Sequence, residues 1–169
     1  VYDIRMESSK KFVEEMSAKY PGVEMIAVEN PEEGCRKSDI IVTVTLANEP
    51  IVQAEWIKKG ALMLNMADYE FTYDCVKMAD KIVVDNWDTI KHRMISTVAL
   101  MWKDGLIKDE DIYAQLGQIL DGQKSGRDND DQIIYFNAVG TGILDLAVTT
   151  RCYRKALQEG VGTTLAYWE

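Results

Sequence analysis

Several things are scarce in this sequence, and each scarcity removes a class of function. There are three cysteines, Cys35, Cys75 and Cys152, widely spaced and in no Cys-x-x-Cys or Cys/His pattern. That excludes a disulfide framework and a tetrahedral zinc site, so no metal is expected and three reduced thiols in a cytoplasmic protein are. No apolar run approaches the roughly 18 residues of a membrane span, and no secretory signal pattern is present. Basic residues are the minority, 19 Lys and Arg against 28 Asp and Glu for a formal net charge of -9. Nucleic acid and anionic membranes select clustered Lys and Arg, so neither is expected as a partner. A Gly-rich phosphate loop is missing. So is an initiator Met: Val1-Tyr-Asp-Ile opens in strand-like residues, and a segment upstream of it is expected.

What is there organises around Asp39-Ile-Ile-Val-Thr-Val-Thr-Leu-Ala-Asn-Glu-Pro50. The unbroken apolar and β-branched run, closed by small polar residues and a proline, reads as a buried strand feeding a loop at its C-terminal end. In a parallel α/β sheet, ligands sit at that end. The 169 residues suffice for one domain with a real core. In order, the patterns predict a strand end at 1–4, a helix at 7–20, a strand at 23–28 and a short helix at 31–37. The strand at 39–45 follows, then a helix at 53–59, a strand at 61–66, a helix at 72–79 and a strand at 81–85. Beyond these, helices are expected at 88–103 and 109–120, a polar loop at 121–131, an extended run at 132–139 and a long helix at 141–159. Strands separated by helices of this length predict a parallel sheet with right-handed crossovers.

Asp3 sits at the end of the first strand fragment. In a nucleotide-binding βαβ unit, a carboxylate there accepts hydrogen bonds from the adenosine ribose and repels a 2′-phosphate, which favours NAD over NADP. The alternative is a plain turn residue, and Arg5 blurs the preference. Thr43 and Thr45 alternate on one strand, and Thr45-Leu-Ala-Asn48 closes it with small residues that would let a flat ring approach the backbone; local hydrogen bonding by the threonines is the competing reading. Asp68 follows the next strand and could act as a general acid or base if shielded from water, or lie in a solvated turn. Gly140-Thr-Gly142 reads as a strand-to-helix turn more readily than as an anion site. His92 is expected on a peripheral helix, and Trp56 and Trp87 in packing roles.

Taken together, the motifs resemble the ornithine cyclodeaminase and mu-crystallin family. Val44-Thr-Leu-Ala-Asn-Glu-Pro-Ile51, Glu55-Trp-Ile-Lys-Lys-Gly-Ala61 and Leu64-Asn65 are similar to its strand, loop, helix and strand around the nicotinamide. Ile112-Tyr-Ala-Gln-Leu-Gly-Gln-Ile-Leu-Asp-Gly122, Gly126-Arg127, Asp131-Gln-Ile-Ile-Tyr-Phe-Asn-Ala-Val-Gly140 and Asp145-Leu-Ala147 resemble its C-terminal segment. The resemblance implies a Rossmann-type α/β fold, mostly parallel with helices on both faces, lacking here its first strand and Gly-rich loop. It divides the chain into a partial NAD-binding domain over 1–105 and a segment over 106–169 that completes the cofactor site and contributes to a substrate and dimerisation domain. The missing strand would lie between those at Val1 and Asp39, leaving two inner edges for a segment from the same or another chain.

Position by position, the resemblance assigns Asp3 to the ribose, and Thr45, Leu46, Ala47, Asn65, Met66, Ala67 and Ala138 to the cofactor. Val139 and Gly140 fall to the substrate, and Asp68 is the match to the catalytic Asp of the cyclising members, with Glu70 as its rival. Ala138 stands where the family usually has Ser, and the loop after Leu64-Asn65 is shorter and poorer in glycine than usual. The activity implied is NAD-dependent conversion of L-ornithine, or a related small amino acid, to proline and ammonia by internal hydride transfer. An imine reductase or amino-acid dehydrogenase, and a non-enzymatic ligand-binding protein of mu-crystallin type, are the alternatives. A homodimer is expected.

Overall fold

The computed structural model describes residues 1–166; the end of the expected 106–169 segment, residues 167–169, lies outside the described residues. Five strands form one parallel sheet: β1 (Ile40–Thr43), β2 (Leu62–Asn65), β3 (Lys81–Val84), β4 (Ala114–Gln115) and β5 (Ile134–Asn137), in the order β1-β2-β5-β3-β4. The last strand in sequence therefore occupies the centre, paired with β2 and β3 on either side. Around the sheet lie α1 (Met6–Lys19), α2 (Pro31–Lys37), α3 (Tyr73–Lys77), α4 (Trp87–Arg93), α5 (Thr97–Lys103) and α6 (Leu116–Leu120), with short 3₁₀ turns at Ala54–Trp56 and Asp109–Asp111. The last helix, α7 (Gly142–Glu159), belongs to a separate compact unit that begins at Gly140.

Burial alternates along β1, β2 and β5, as the pleat of a strand demands. On one face Ile41, Met63, Ile82, Val84 and Tyr135 pack with Cys35 of α2, Cys75 and Val76 of α3, Ile90 of α4, and Val98 and Met101 of α5. Leu62, Leu64, Ile134 and Phe136 point to the other face, where with Leu116 and Ile119 of α6 they line an apolar groove of about 260 Å³. Local chemistry sets several helix starts: the side chains of Asn30 and Asn86 accept from the Glu33 and Thr89 N–H groups and so cap α2 and α4.

The structure departs from the sequence reading in four places. Residues 1–4 and 23–28 form no strand; two hydrogen bonds join them, from the Val1 nitrogen to Ile26 O and from Val28 N–H to Val1 O. Two bonds make no ladder. The helix expected at 53–59 contracts to the 3₁₀ turn Ala54–Trp56. The helix expected at 88–103 is two helices, because Met94 turns left-handed (φ 53°) and Ser96 starts α5. Ile95-Ser96-Thr97-Val98 is rich in β-branched and hydroxyl residues, which favour such a break. The helix expected at 109–120 is instead a 3₁₀ turn, β4 and α6, because Ala114 and Gln115 pair with Val83 and Val84 on the open edge of β3. The break between compact units falls after Val139, with β4 and β5 threaded into the same sheet as β1 to β3.

Candidate functional site

Strand register lines up the carboxyl ends. Thr43 is opposite Asn65 and Asn65 opposite Asn137, while Val84 flanks Asn137 on its other side. The ladder bonds run one step further, with Met66 N–H donating to Thr43 O and Ala138 N–H to Asn65 O, 3.1 and 3.0 Å. The turns that leave β1, β2 and β5 therefore emerge side by side from one edge. Thr45, Leu46 and Ala47 belong to the first, Met66, Ala67 and Asp68 to the second, and Ala138 and Val139 to the third. Gly140, with φ +80°, opens the second compact unit. Asp3 is not part of these three turns; its carboxylate accepts from the Arg5 N–H at 2.8 Å and pairs loosely with the Arg5 side chain.

Beneath the turns runs a chain of buried hydrogen bonds whose direction is fixed throughout. Tyr135, fully buried, donates to Asn65 Oδ1 at 2.6 Å, and burial pushes its phenol well above the ordinary range, so it remains a donor. Asn65 Nδ2 donates to Glu70 Oε2 at 2.8 Å and to Asp68 O at 3.2 Å. Glu70, at 0% exposure, receives two further bonds on Oε1, from the Thr45 N–H at 2.6 Å and the Thr45 hydroxyl at 2.7 Å. The same hydroxyl accepts from the Ala47 N–H at 3.2 Å. A carboxylate that is buried needs this many donors, because desolvation without them would be prohibitive.

Two consequences follow for the expected site residues. The N–H and hydroxyl of Thr45 and the N–H of Ala47 are committed inside the protein, so this turn can meet a ligand by shape and through Leu46, 92% exposed. Of the two rival carboxylates, Glu70 is engaged on both oxygens. Asp68 contributes its backbone oxygen to the network, and its half-buried carboxylate carries no hydrogen bond or ion pair among the described residues. The third turn is gripped separately, Val139 donating to Asp85 Oδ2 at 3.0 Å while Arg93 donates to Val139 O at 2.6 Å.

Sequence reasoning missed Asp85, Arg93 and Tyr135. Asp85 ends the predicted Lys-Ile-Val-Val-Asp strand and could have been suspected by analogy with Asp68; nothing local marks Arg93, on the exposed side of α4, or a tyrosine at the sheet centre. His92 is exposed. Trp87 is buried edge-on to Trp102 with its indole N–H on Asp109, a packing role as expected. Asn137 sits at 0% exposure beside Asn65, donating to Asn65 O, and its Oδ1 has no hydrogen-bond partner among the described residues.

With this geometry in place, likeness to known proteins becomes informative. The family model described as "Ornithine cyclodeaminase/mu-crystallin family" matches residues 1–160. Alanine dehydrogenase of Archaeoglobus fulgidus is 34% identical over 99% of the chain and 51% of its own length. N-((2S)-2-amino-2-carboxyethyl)-L-glutamate dehydrogenase of Staphylococcus aureus is 32% identical over 98% of the chain and 49% of its own length. Among solved structures, the Thermococcus litoralis Delta(1)-pyrroline-2-carboxylate reductase in complex with NADH and L-proline superposes with a TM-score of 0.87 and 35% identity, over 98% of the chain and 52% of that structure. The chain thus spans about half the length of the relatives it matches.

Proposed function

The chain belongs to the ornithine cyclodeaminase/mu-crystallin family, and from that we propose that it is the dinucleotide-binding part of an NAD-dependent oxidoreductase acting at the α-carbon of a small amino or imino acid. The observation that carries the proposal is the convergence of three turns, after β1, β2 and β5, at the carboxyl edge of one parallel sheet, where doubly wound folds bind nucleotides. The relatives reported above are named as dehydrogenases or a reductase.

The residues present fit the nicotinamide half of such a cofactor. Ala47, Ala67 and Ala138 are small enough for close approach, Leu46 and Met66 offer exposed apolar contact, and Asn137 Oδ1, without a hydrogen-bond partner among the described residues, leaves an acceptor unspent beside them. NAD, when bound, supplies the hydride acceptor and NADH the donor. The chain's own part is to orient and to move protons. The rigid first and third turns fix the approach of the ring, and Asp3 takes the adenosine ribose. Asp68 exchanges a proton with the substrate nitrogen, being a half-buried carboxylate at this edge with both oxygens open. Val139 and Gly140 border the substrate, and a homodimer with a further segment supplying the substrate carboxylate's partner completes the enzyme.

A second reading is internal recycling of the hydride, in which L-ornithine gives proline and ammonia with no net redox change; the open carboxylate of Asp68 favours it. The full-length protein tests both. With alanine or pyrroline-2-carboxylate, the first reading expects net conversion between NAD and NADH. With L-ornithine, the second expects ammonia and proline without it. Neither product from any of the three substrates, with NADH still bound, would leave a ligand-binding protein of mu-crystallin type.

A further inference from the structure

We propose that Glu70 is a positioning residue for the dinucleotide: it freezes the turn that carries Leu46 by clamping both of its ends, and it takes no part in proton transfer. The inference rests on the reading of the edge as a nicotinamide site. At the start of the turn its side chain binds Thr45 twice, at 2.6 and 2.7 Å. At the far end, past Pro50, its own backbone oxygen accepts from the Ile51 N–H at 2.8 Å and the Val52 N–H at 3.1 Å. Phe71, the next residue, bridges in parallel to Val52. One residue of the second turn thus pins residues 45 and 51–52 of the first, so the segment between them is a closed span rather than a free loop.

Three hydrogen bonds are directed at the two carboxyl oxygens of this side chain. Every neighbour presents a donor: the Thr45 N–H, the Thr45 hydroxyl and Asn65 Nδ2. Asn65 cannot turn its amide round cheaply, because its Oδ1 already receives the Tyr135 hydroxyl and its Nδ2 also serves Asp68 O. Glutamine at 70 would set one N–H₂ group against the Asn65 N–H₂ and break the directed chain that runs from Tyr135 to Ala47. The turn would remain in place through the backbone bonds of residue 70 while losing its fixed shape, which affects preorganisation more than folding.

Full-length wild type, Glu70→Gln and Thr45→Val are compared for binding of NADH and of ADP-ribose, with the melting temperature recorded for each. Because ADP-ribose lacks the nicotinamide, its affinity in Glu70→Gln is expected within about twofold of wild type, whereas NADH affinity falls about tenfold or more. Thr45→Val, which removes one of the two clamping donors from the other end, is expected to act in the same direction, and the two changes combined to lose less than their product, since they break one network. Unchanged NADH affinity in both variants overturns the proposal. So does an equal loss of both ligands accompanied by a lower melting temperature, which would make Glu70 merely structural. Should Glu70→Gln not fold, Thr45→Val alone decides between these outcomes. A wild type that binds neither ligand instead removes the dinucleotide reading itself.

Discussion

At the scale of single residues, two acidic side chains two positions apart have opposite fates. Glu70 is sealed with three donors, while Asp68 keeps its carboxylate open at the same edge. On the proposed function, replacing Asp68 by Asn in the full-length protein is therefore expected to leave NADH binding intact and lower turnover by about 10²- to 10⁴-fold, the usual contribution of a positioned acid or base; unchanged turnover would remove Asp68 from the proposed mechanism. Cysteine chemistry separates as sharply. Burial, with Cys75 beside it, pushes the Cys35 thiol up to about 11, and burial raises Cys75 as well, whereas Cys152 is exposed. Near pH 8, one thiol per chain is expected to react promptly with an alkylating reagent, with mass spectrometry placing the label on Cys152 and the other two reacting only on unfolding.

At the scale of elements, the loop between α6 and β5 is fastened at two points that differ in kind. Gly60 approaches its backbone so closely that an added Cβ would lie 2.2 Å from Asp130 O, and it adopts φ +76° besides. Gly60→Ala should cost more than the roughly 1–2 kcal/mol of a left-handed residue alone, read as a fall in the unfolding midpoint in denaturant. The second fastening is electrostatic: the Lys81 ammonium, 6% exposed, reaches Asp128 at 2.7 Å, Gly126 O and Ser125, and lies over the Tyr113 ring. The hydrogen bond from Lys81, then that from Ser125, hold the Asp128 carboxyl below the usual carboxylate range. A carboxylate depressed by folding stabilises above its unfolded value and loses that contribution as pH falls through its lower folded one. Protection of residues 121–131 from hydrogen exchange should thus hold from neutrality to about pH 4 and drop below it, and in Lys81→Met it should be low throughout.

At the scale of the whole molecule, β1 ends the sheet with a single ladder partner, and Ile40 and Val42 on its outer face are 58% and 55% exposed. The groove beside them is apolar throughout. Exposed strand edges and apolar faces of this kind recruit other chains. Residues 1–169 expressed alone are therefore expected to bind a hydrophobic dye and to associate with rising concentration. A dye-silent monomer near 19.2 kDa by light scattering would contradict this. The relatives are about twice as long as this chain, and the proposed enzyme is the longer assembly.

By itself the sequence determined the strands whose signal is local and continuous. Ile40–Thr43, Leu62–Asn65, Lys81–Val84 and Ile134–Asn137 are apolar runs bounded by turn residues, and family motifs in order along the chain pointed to the turns after Thr45, Asn65 and Asn137 before any coordinates. It did not determine which strand lies where, because order in a sheet depends on pairing between residues far apart in the chain, such as Asn65 with Asn137. Only the tertiary structure placed β5 at the centre and turned 114–115 from a helical pattern into an edge strand, the free edge of β3 outweighing local propensity. It also separated Asp68 from Glu70. Both are carboxylates on one short turn, and what distinguishes them is whether Thr45 and Asn65 arrive with donors, a fact that the chain acquires only when three strands end side by side.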